Sequence, residues 1–392
     1  MVWRIARIIG TTIFFAVIAL CLALTIVPHF LDAIYYRGPV TAHFDGERFR
    51  NPDRDDSIRR MPRGKAGGYL WRRLTGQEAD AAPGWPEHIA VTARPVAARV
   101  MGDAMVATWV GHATFLVQTQ GLNILTDPIW SDRAGPFGIG PERVAPPGIA
   151  FDRLPKIDLV LVSHDHYDHM DLATLKRLWD RDRPLIISSL GNDAVIGQVG
   201  VPARTLDWGG RISVRPGIEV IVNRNHHWGS RWLSDKNRAL WSSFVVRLPH
   251  GNLFFAGDTG AGDLKWADEA ARYGPVRLAL IPIGAFRFSP GQMGDWSHIG
   301  PVDAVEVARR LGASRSIGMH WGTFRLSSEG YDTPPRLLAA AMACTRQRGQ
   351  FDAVEIGQPV RIASYTSPAG TTAMPRAALL ACLDTPSVRA MR

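Results

Sequence analysis

Short apolar runs separated by glycine and polar turns begin at Val106 and recur along most of the remaining chain. Runs of this kind, bounded by turn residues, indicate strands. We predict strands at residues 106–110, 114–118, 123–126, 159–163, 185–188, 218–223, 243–248, 253–256 and 278–281. Helical spacing of apolar residues predicts helices at residues 172–179, 263–272, 302–311 and 336–348. Strands predominate early and alternate with helices later, which favours an α/β fold of two packed sheets with helices outside.

The N-terminal pattern differs, because residues 8–27 form an apolar run without a charge. At about 1.5 Å per residue, a helix of this length reaches about 30 Å and can cross a bilayer core. We therefore predict a single-pass membrane anchor at residues 1–30. A cleaved signal peptide and a buried helix of a soluble protein are the alternatives. Arg4 and Arg7 favour a cytoplasmic N-terminus and an exported catalytic domain, although arginines at residues 48–60 weaken that orientation.

Composition changes downstream of this run. Residues 31–100 are rich in Arg, Pro and Gly and have little apolar periodicity. We predict an arm that packs against the main domain, and a loose linker is the alternative. The periodic pattern predicts a main domain at residues 101–365, followed by a C-terminal tail at residues 366–392.

Length and composition exclude several classes of protein. The 392 residues allow one large domain or two, and 46% hydrophobic with 21% charged residues is typical of a globular chain. Three cysteines are too few for a disulfide scaffold or a cysteine-based zinc finger. The net charge of +9 favours an anionic partner such as a membrane, although a basic soluble surface explains it equally well. No Walker loop, Rossmann glycine pattern, nucleophile elbow or nucleic-acid recognition module is present.

One segment carries the clearest chemistry. Four metal-competent side chains, His164, His166, Asp168 and His169, fall within six residues, after an apolar strand and before a helix. Imidazole and carboxylate suit zinc, with iron and manganese as alternatives. An extended loop directs the first two histidines to one side, and the turn into the helix brings the other two residues to a neighbouring point. That geometry suits two metal ions rather than one.

Further candidate ligands follow predicted strands. His226 and His227 come after residues 218–223, Asp258 comes after residues 253–256, and His320 follows another short apolar run. A lone histidine beside a tryptophan is usually a core or surface residue. Because each of these residues stands at the C-terminal end of a strand, we expect them to meet at one site.

The order His-x-His-x-Asp-His, then His, Asp and His, resembles the metallo-β-lactamase superfamily. The flanking segments are similar to one branch, the N-acyl-phosphatidylethanolamine-hydrolysing phospholipase D group. The resemblance covers roughly residues 105–345, and more weakly residues 43–46. The motifs that carry it are Gly-His-Ala-Thr at 111–114, Leu-Thr-Asp-Pro-Ile-Trp at 125–130, Gly-Pro-Glu-Arg at 140–143, His-Trp at 227–228, Phe-Phe-Ala-Gly-Asp-Thr-Gly at 254–260, Ile-Pro-Ile-Gly-Ala at 281–285 and His-Trp-Gly-Thr-Phe at 320–324.

The resemblance implies a four-layer αββα sandwich with two zinc ions at the edge between its halves. It implies that His164, His166 and His227 hold one zinc, that Asp168, His169 and His320 hold the second, and that Asp258 bridges them. His227 holds the place of the branch's single histidine, and His226 is the additional residue. A shared hydroxide between two zinc ions would attack a phosphodiester without a serine or cysteine nucleophile.

Other residues are weaker candidates. Asp168, besides being a candidate ligand, and His298 are the catalytic candidates. His298 holds the place of a family histidine that contacts phosphate or assists proton transfer, and a helix-capping or core role is the alternative. Asp127 either orients a histidine ligand or forms a turn. His112 either approaches the site or satisfies a loop. Two arginines, Arg143 and Arg287, are candidates for phosphate binding. Residues 286–298 depart from the family pattern, which puts lipid specificity in doubt.

Three functions remain open from the sequence. The leading hypothesis is a membrane-associated, zinc-dependent phosphodiesterase of the phospholipase D type, acting on a phospholipid such as an N-acyl-phosphatidylethanolamine. The second is a metallo-hydrolase of another bond, such as a lactone or a cyclic phosphodiester. The third is a non-catalytic, membrane-tethered scaffold that keeps the fold. Seven candidate ligands argue against the scaffold, which needs none of them.

Overall fold

Two seven-stranded β-sheets pack face to face, and helices lie against their outer faces. The predicted α/β architecture with two sheets is therefore confirmed. The computed structural model describes residues 2–31, 33–53, 84–232, 234–287, 296–346, 350–368 and 373–391.

The first sheet has the strand order β14-β1-β2-β3-β4-β5-β6. Its strands are β1 (Met105–Gly111), β2 (Thr114–Thr119), β3 (Leu122–Thr126), β4 (Leu159–Leu161), β5 (Leu185–Ser189), β6 (Arg204–Leu206) and β14 (Pro359–Ile362). Neighbours from β14 to β3 are antiparallel, and neighbours from β3 to β6 are parallel.

The second sheet repeats this plan in the order β13-β12-β11-β10-β9-β8-β7. Its strands are β7 (Arg211–Arg215), β8 (Ile218–Asn223), β9 (Ser243–Arg247), β10 (Asn252–Phe255), β11 (Val276–Pro282), β12 (Ser316–Met319) and β13 (Phe351–Asp352). Neighbours from β7 to β10 are antiparallel, and neighbours from β10 to β13 are parallel.

The helices connect these strands or extend from the sandwich at its ends. They are α1 (Val2–Leu31), α2 (Leu172–Asp182), α3 (Asn192–Ile196), α4 (Lys265–Ala271), α5 (Pro301–Leu311), α6 (Thr333–Cys344), α7 (Arg376–Leu383) and α8 (Pro386–Arg389). The helix predicted at residues 336–348 corresponds to α6, which begins three residues earlier and ends at Cys344. Pro334 stands in its first turn, where the fixed φ of proline suits a helix start.

The surroundings of β4 explain why residues 159–162 are all apolar. Leu159 and Leu161 enter the core between the two sheets. Val160 and Val162 enter a second cluster on the outer face, where they pack with Leu175 of α2. A parallel strand covered on both faces has no position that favours a polar residue. The loop that follows β4 is therefore fixed at its base by buried apolar contacts.

The N-terminal arm contacts the main domain at residues 33–53. Phe44 and Phe49 are buried against Trp241, and the hydroxyl of Tyr35 donates to Asp235 Oδ2 over 2.9 Å. Residues 33–53 therefore pack on the main domain. Residues 54–83 lie outside the described part of the chain, so the division at residues 31–100 stays a prediction.

The two ends of the chain differ in character. Helix α1 contains a span from Trp3 to Ala23 that is long and apolar enough to cross a membrane, with a mean hydropathy of 2.3 and none of it buried in the protein. Signal sequences have the same properties, so the finding concerns length and composition alone. At the other end, a disulfide between Cys344 and Cys382 joins α7 to the end of α6, with Cα atoms 6.1 Å apart.

Candidate metal centre

Three imidazole rings converge at the C-terminal end of β4. The Nε2 atom of His164 lies 2.8 Å from Nδ1 of His166. The ring of His227, which follows β8 of the second sheet, lies 4.7 Å from the His164 ring between centroids. Each residue offers a ligand atom within 4.8 Å of the other two. We call these residues the three-histidine group.

A second group lies beside it and contains a carboxylate. The Oδ2 atom of Asp168 lies 3.4 Å from His169 Nε2 and 3.5 Å from His320 Nε2. The Nε2 atom of His112 is 2.9 Å from the same oxygen. All four side chains offer ligand atoms within 4.8 Å of one another. We call Asp168, His169 and His320, with His112 behind them, the aspartate group.

Asp258 lies between the two groups. Its Oδ2 atom is 3.0 Å from both His169 Nε2 and His320 Nε2 in the aspartate group. The same oxygen is 4.0 Å from His227 Nε2 in the three-histidine group. One buried carboxylate therefore faces imidazoles that come from both halves of the sandwich.

The donor set fits a pair of divalent metal ions. The Nε2 atom of His227 and the Oδ1 atom of Asp258 are buried and have no hydrogen-bond partner in the described part of the chain. A buried polar atom without a partner is costly in free energy. Coordination of an ion would use these lone pairs, and five imidazoles with two carboxylates are ligands that zinc, iron and manganese accept.

Burial and neighbouring charges set the protonation states of the candidate ligands. Burial holds the pKa of the His227 imidazole well below its usual range, so this ring is neutral. Burial opposes ionisation of Asp258, but the positive charges of His169 and His320 outweigh it and hold the pKa of that carboxyl well below its usual range. Metal ions bind neutral imidazole and ionised carboxylate. His227 and Asp258 therefore offer both kinds of ligand near neutral pH. Against the effect of burial, the carboxylates of Asp258 and Asp168 raise the pKa of His169 and His320, to about 9 for His320, so binding of an ion would displace protons from these two rings.

Asp127 supports both groups at once. Its Oδ2 atom lies 2.6 Å from His169 Nδ1 and accepts a 2.6 Å hydrogen bond from the hydroxyl of Ser163. The same hydroxyl lies 2.9 Å from Nδ1 of His164. Because all of these atoms are buried, one carboxylate orients His169 directly and His164 through Ser163. The geometry is that of the orienting role considered for Asp127, rather than of a simple turn.

Replacing Asp127 by asparagine is expected to weaken metal binding about 10- to 100-fold, the usual cost of losing an outer hydrogen-bond partner. An amide NH₂ facing His169 Nδ1 would oppose the ring's orientation. Chelator competition measures the change. Asp152→Asn, at an exposed position, is the control, and equal metal affinity of the two variants would contradict the role of Asp127.

Three residues of this site have strained backbone conformations. His112, Asp127 and His320 all have positive φ, at 54°, 30° and 62°. Residues with side chains rarely adopt such values, and their presence near reactive groups is typical of functional sites. Gly257 also has a positive φ of 60°, and a Cβ there would lie 2.6 Å from Cβ of Ser163. A side chain at residue 257 would therefore push apart the loops that carry Asp258 and His164.

The adjacent histidines point in different directions. His227 Nδ1 lies 2.8 Å from the carbonyl oxygen of Ser297, so its N–H donates there and Nε2 is left for an ion. The ring of His226 lies instead against the N-terminal arm, with Nδ1 3.0 Å from Asp53 Oδ1. The structure brings His227 into the cluster and places His226 outside it.

His298 lies at the opening of the site. Its Nδ1 atom is 3.7 Å from Asp258 Oδ2, and its ring lies 5.2 Å from the His227 ring. Burial lowers its pKa to about 4, so the ring is neutral. The side chain keeps 13% exposure, against 0% for His227. Residues 288–295 of the segment that departs from the family pattern lie outside the described part of the chain.

The two arginine candidates make contacts elsewhere. Arg143 donates from Nε to the carbonyl of Ser131 over 3.0 Å and from Nη2 to the carbonyl of Ile129 over 3.1 Å. Arg287 is buried and donates from Nη1 to the carbonyl of Met391 over 2.8 Å. These guanidinium groups hold main-chain segments together, and the structure does not bring them to the cluster as phosphate ligands.

A cavity of about 700 Å³ opens beside the loop that carries the ligands. Tyr167 and Met170, which flank Asp168 and His169, form part of its wall. Its lining also includes Trp130, Arg133 and Arg231. The cavity therefore offers aromatic and cationic side chains together with the acidic Asp132, Glu142 and Asp171, and none of its lining residues is a candidate metal ligand.

Residues 122–321, about half of the chain, match the family described as beta-lactamase superfamily domain. This segment includes every candidate ligand from His164 to His320. The chain belongs to the beta-lactamase superfamily. The predicted family and the predicted class of enzyme, a metal-dependent hydrolase, are therefore confirmed, and the finer identity of substrate and metal is a separate question.

Two relatives within the superfamily carry similar names. The N-acyl-phosphatidylethanolamine-hydrolyzing phospholipase D 1 of Caenorhabditis elegans is 38% identical over 245 residues, which cover 60% of this chain and 68% of that protein. The mitochondrial N-acyl-phosphatidylethanolamine-hydrolyzing phospholipase D of Saccharomyces cerevisiae is 34% identical over 238 residues, which cover 59% and 50%. The chain thus spans about half to two thirds of these relatives.

A solved structure of a superfamily member has the same fold. A possible metal-dependent hydrolase from Veillonella parvula is 15% identical and gives a TM-score of 0.54. The match covers 67% of this chain and 99% of that protein. At this identity the likeness concerns the fold alone.

Sequence reasoning missed three residues around the superfamily site. Ser163 stands directly before His164 within the recognised segment, so its position was a usable signal. Asn51 and Asp53 reach the same region from the arm, more than 170 residues away along the chain. No local pattern marks such a contact.

Proposed function

We propose that this superfamily member is a zinc-dependent phosphodiesterase that hydrolyses a phospholipid by phospholipase D chemistry. The observation that carries the proposal is the placement of Asp258 between two groups of buried ligands, 3.0 Å from His169 and His320 and 4.0 Å from His227. A shared carboxylate between two ligand groups is the arrangement that a two-ion centre needs. The names of the worm and yeast relatives support the choice of substrate class.

The ligand assignment follows the two groups. His164, His166 and His227 would hold one ion, Asp168, His169 and His320 the other, and Asp258 would bridge them. Zinc supplies a Lewis acid for the phosphoryl oxygen and lowers the pKa of bound water toward about 7. Two such ions stabilise both the attacking and the leaving oxygen of an in-line displacement. Iron and manganese suit the same ligands and are the alternatives.

The chain's own groups then orient the reactants. The Asp168 carboxylate retains 15% exposure, whereas Asp258 retains 1%, so Asp168 is accessible to an attacking water. His112 Nε2 lies 2.9 Å from Asp168 and fixes the position of that carboxylate. His298, also at the opening, would donate a hydrogen bond from its neutral ring to a phosphoryl oxygen.

The cavity beside the ligand loop is lined by side chains of both charges. Arg133 lines one part of it and pairs with Glu142, which also lines it. Arg231 stacks over the ring of Tyr167 at 3.7 Å, which joins a cationic to an aromatic surface. Trp130 and Leu172 add apolar area. The choice of a phospholipid therefore rests on the names of the relatives rather than on the lining of this cavity.

A mixed phospholipid extract tests the function. Zinc-loaded protein is incubated with the extract, and products are followed by mass spectrometry, with chelated protein as the control. Release of phosphatidic acid and an N-acylethanolamine by the zinc-loaded protein is the expected result. Turnover of lactones or cyclic phosphodiesters alone would favour the second hydrolase hypothesis. Absence of any turnover with both ions bound would favour a scaffold.

We further propose that α1 anchors the enzyme in the membrane that contains its substrate. The span from Trp3 to Ala23 makes no buried contacts with the rest of the protein, so a bilayer is the environment that suits its apolar side chains. An anchor raises the effective concentration of the site near a lipid substrate without taking part in the chemistry.

Deleting residues 1–30 should release the enzyme into solution. Turnover of monomeric, detergent-dispersed lipid should survive, while turnover of intact vesicles should fall at least about 10-fold. An unrelated spanning helix in place of residues 1–30 is the control and should restore vesicle activity. Equal vesicle activity with and without residues 1–30 would contradict the anchoring role.

The disulfide between Cys344 and Cys382 supports placement of the catalytic domain on the exported side. Disulfides persist in oxidising compartments and are rare in the cytosol. Arg4 and Arg7 before the apolar span favour the same orientation. Extraction under thiol-blocking conditions should yield an oxidised pair, and a fully reduced pair would contradict this orientation.

A further inference from the structure

The end of the N-terminal arm contacts the loop that carries His227. The side-chain amide of Asn51 donates to the carbonyl oxygen of His227 over 2.8 Å. The indole N–H of Trp241 donates to Asn51 Oδ1 over 3.1 Å and fixes the amide in that orientation. The arm therefore holds the main chain at a candidate metal ligand.

Asp53 forms a buried pair with the neighbouring histidine. Its Oδ1 atom lies 3.0 Å from His226 Nδ1, and the two side chains are only 3% and 1% exposed. Its Oδ2 atom accepts from the main-chain N–H of Asp263 over 3.0 Å and lies 3.2 Å from Arg224 Nη1. With water excluded, these bonds hold the carboxylate firmly in place.

The backbone at Gly262 packs directly against the pair of Asp53 and His226. Gly262 has a φ of 51°, and a Cβ there would lie 2.3 Å from Asp53 Oδ2 and 2.6 Å from His226 Nδ1. A side chain at residue 262 would separate the two partners. The close contact of this backbone with both side chains fixes the distance between arm and loop.

The main chain of His226 connects two ligand-bearing loops. Its N–H donates to Thr259 Oγ1 over 3.1 Å, and its carbonyl accepts from the N–H of Gly260 over 2.6 Å. Thr259 and Gly260 follow Asp258 directly, and His227 follows His226. A shift of residue 226 therefore moves both Asp258 and His227, which face each other across the site.

We propose that Asp53 and His226 form a positioning pair through which the N-terminal arm sets the geometry of the metal centre. Asp53 fixes the imidazole of His226, and the main chain of His226 fixes the spacing of His227 and Asp258. Asn51 adds a direct bond to the carbonyl of His227. Neither member of the pair is a metal ligand. The inference rests on the proposed two-ion centre.

Asp53→Asn in the full-length chain tests this role, because it keeps the volume of the side chain and removes its charge and one acceptor. The variant and the unchanged protein are loaded with Co²⁺, whose visible spectrum reports the ligand geometry. We expect about 10-fold weaker retention of one ion in chelator competition, the lower end of the loss seen when outer partners are removed. We also expect a shifted Co²⁺ absorption band and a lower kcat with a smaller change in KM.

Asp207→Asn is the matched control. Asp207 Oδ1 lies 2.7 Å from Nε2 of His43, so it forms another aspartate–histidine contact between arm and main domain. That pair is more exposed, at 40% and 15%, and His43 stacks on Trp208 rather than on a ligand loop. We expect its Co²⁺ spectrum and metal retention to match those of the unchanged protein.

A double-mutant cycle tests whether Asp53 acts through His226. His226→Asn alone and combined with Asp53→Asn completes a double-mutant cycle on metal retention. If Asp53 acts through His226, the double variant should lose no more than the larger single loss. Additive losses, or an Asp53→Asn spectrum identical to that of Asp207→Asn, would overturn the inference. Absence of two ions from the unchanged protein would instead overturn the proposed function.

Discussion

Replacing His320 by alanine is expected to leave one tightly bound ion per chain and to lower turnover by more than about 100-fold. The Nε2 atom of His320 lies 3.5 Å from Asp168 and 3.0 Å from Asp258, so the substitution removes one of the two imidazoles that join the aspartate group to the shared carboxylate. Loss of an outer partner alone costs about 10- to 100-fold, and loss of a ligand exceeds that. Metal analysis together with turnover of a phospholipid measures both effects.

His250→Ala is the control for this substitution. His250 is 54% exposed and contacts Asp103 on the surface. Its replacement should leave two ions and the turnover unchanged. Two tightly held ions in the His320→Ala variant would contradict the assignment of His320 as a ligand.

Replacing His227 by alanine should remove the ion of the three-histidine group. The Ser297 carbonyl fixes this ring at Nδ1 and leaves Nε2, which has no hydrogen-bond partner among the described residues, as the atom that would coordinate an ion. We expect one ion per chain and a loss of turnover of the same order as for His320→Ala. The ion that stays bound should now be the one held by the aspartate group.

The adjacent histidine provides the contrast. His226→Asn should keep two ions at saturating metal concentration, because the ring of His226 faces Asp53 instead of the cluster. Retention of both ions by His227→Ala and loss of one by His226→Asn would move the ligand to residue 226.

The sequence predicted the parts of the fold that local pattern determines. Residues 159–163 are apolar at every position before Ser163 because both faces of β4 are covered, and the ligand motif follows immediately. His164, His166, Asp168 and His169 stand close together in the chain, so their convergence needs little tertiary information. The later candidates, His227, Asp258 and His320, each follow a strand, and this pattern predicted that they would meet at the same site.

Long-range contacts were beyond the reach of the sequence. Asp53 meets His226 across 173 residues, and no composition or periodicity marks that pairing. The disulfide between Cys344 and Cys382 depends on how α7 packs against α6, and the two cysteines stand 38 positions apart in the chain. Arg143 resembled a phosphate ligand by type, but the turn beside it offers main-chain carbonyls that take its donors. Such outcomes depend on tertiary packing.

The sequence also marked His226 as unusual without showing which residue it contacts. His226 was visible in the sequence as an additional histidine before the ligand. The structure shows its contact, a buried carboxylate from the arm at 3.0 Å. Residues that break a family pattern beside a functional site therefore merit a search for a partner far along the chain.

Hydrolysis of a purified N-acyl-phosphatidylethanolamine in ¹⁸O-labelled water tests the central claim most directly. In a phospholipase D reaction, water attacks phosphorus, the bond from phosphorus to the ethanolamine oxygen breaks, and that oxygen leaves with the N-acylethanolamine. The zinc-loaded protein should therefore produce phosphatidic acid that carries one ¹⁸O atom and an unlabelled N-acylethanolamine. Chelated protein and His320→Ala should produce neither. Release of an ¹⁸O-labelled fatty acid, or of no phosphatidic acid by protein that holds both ions, would contradict the account.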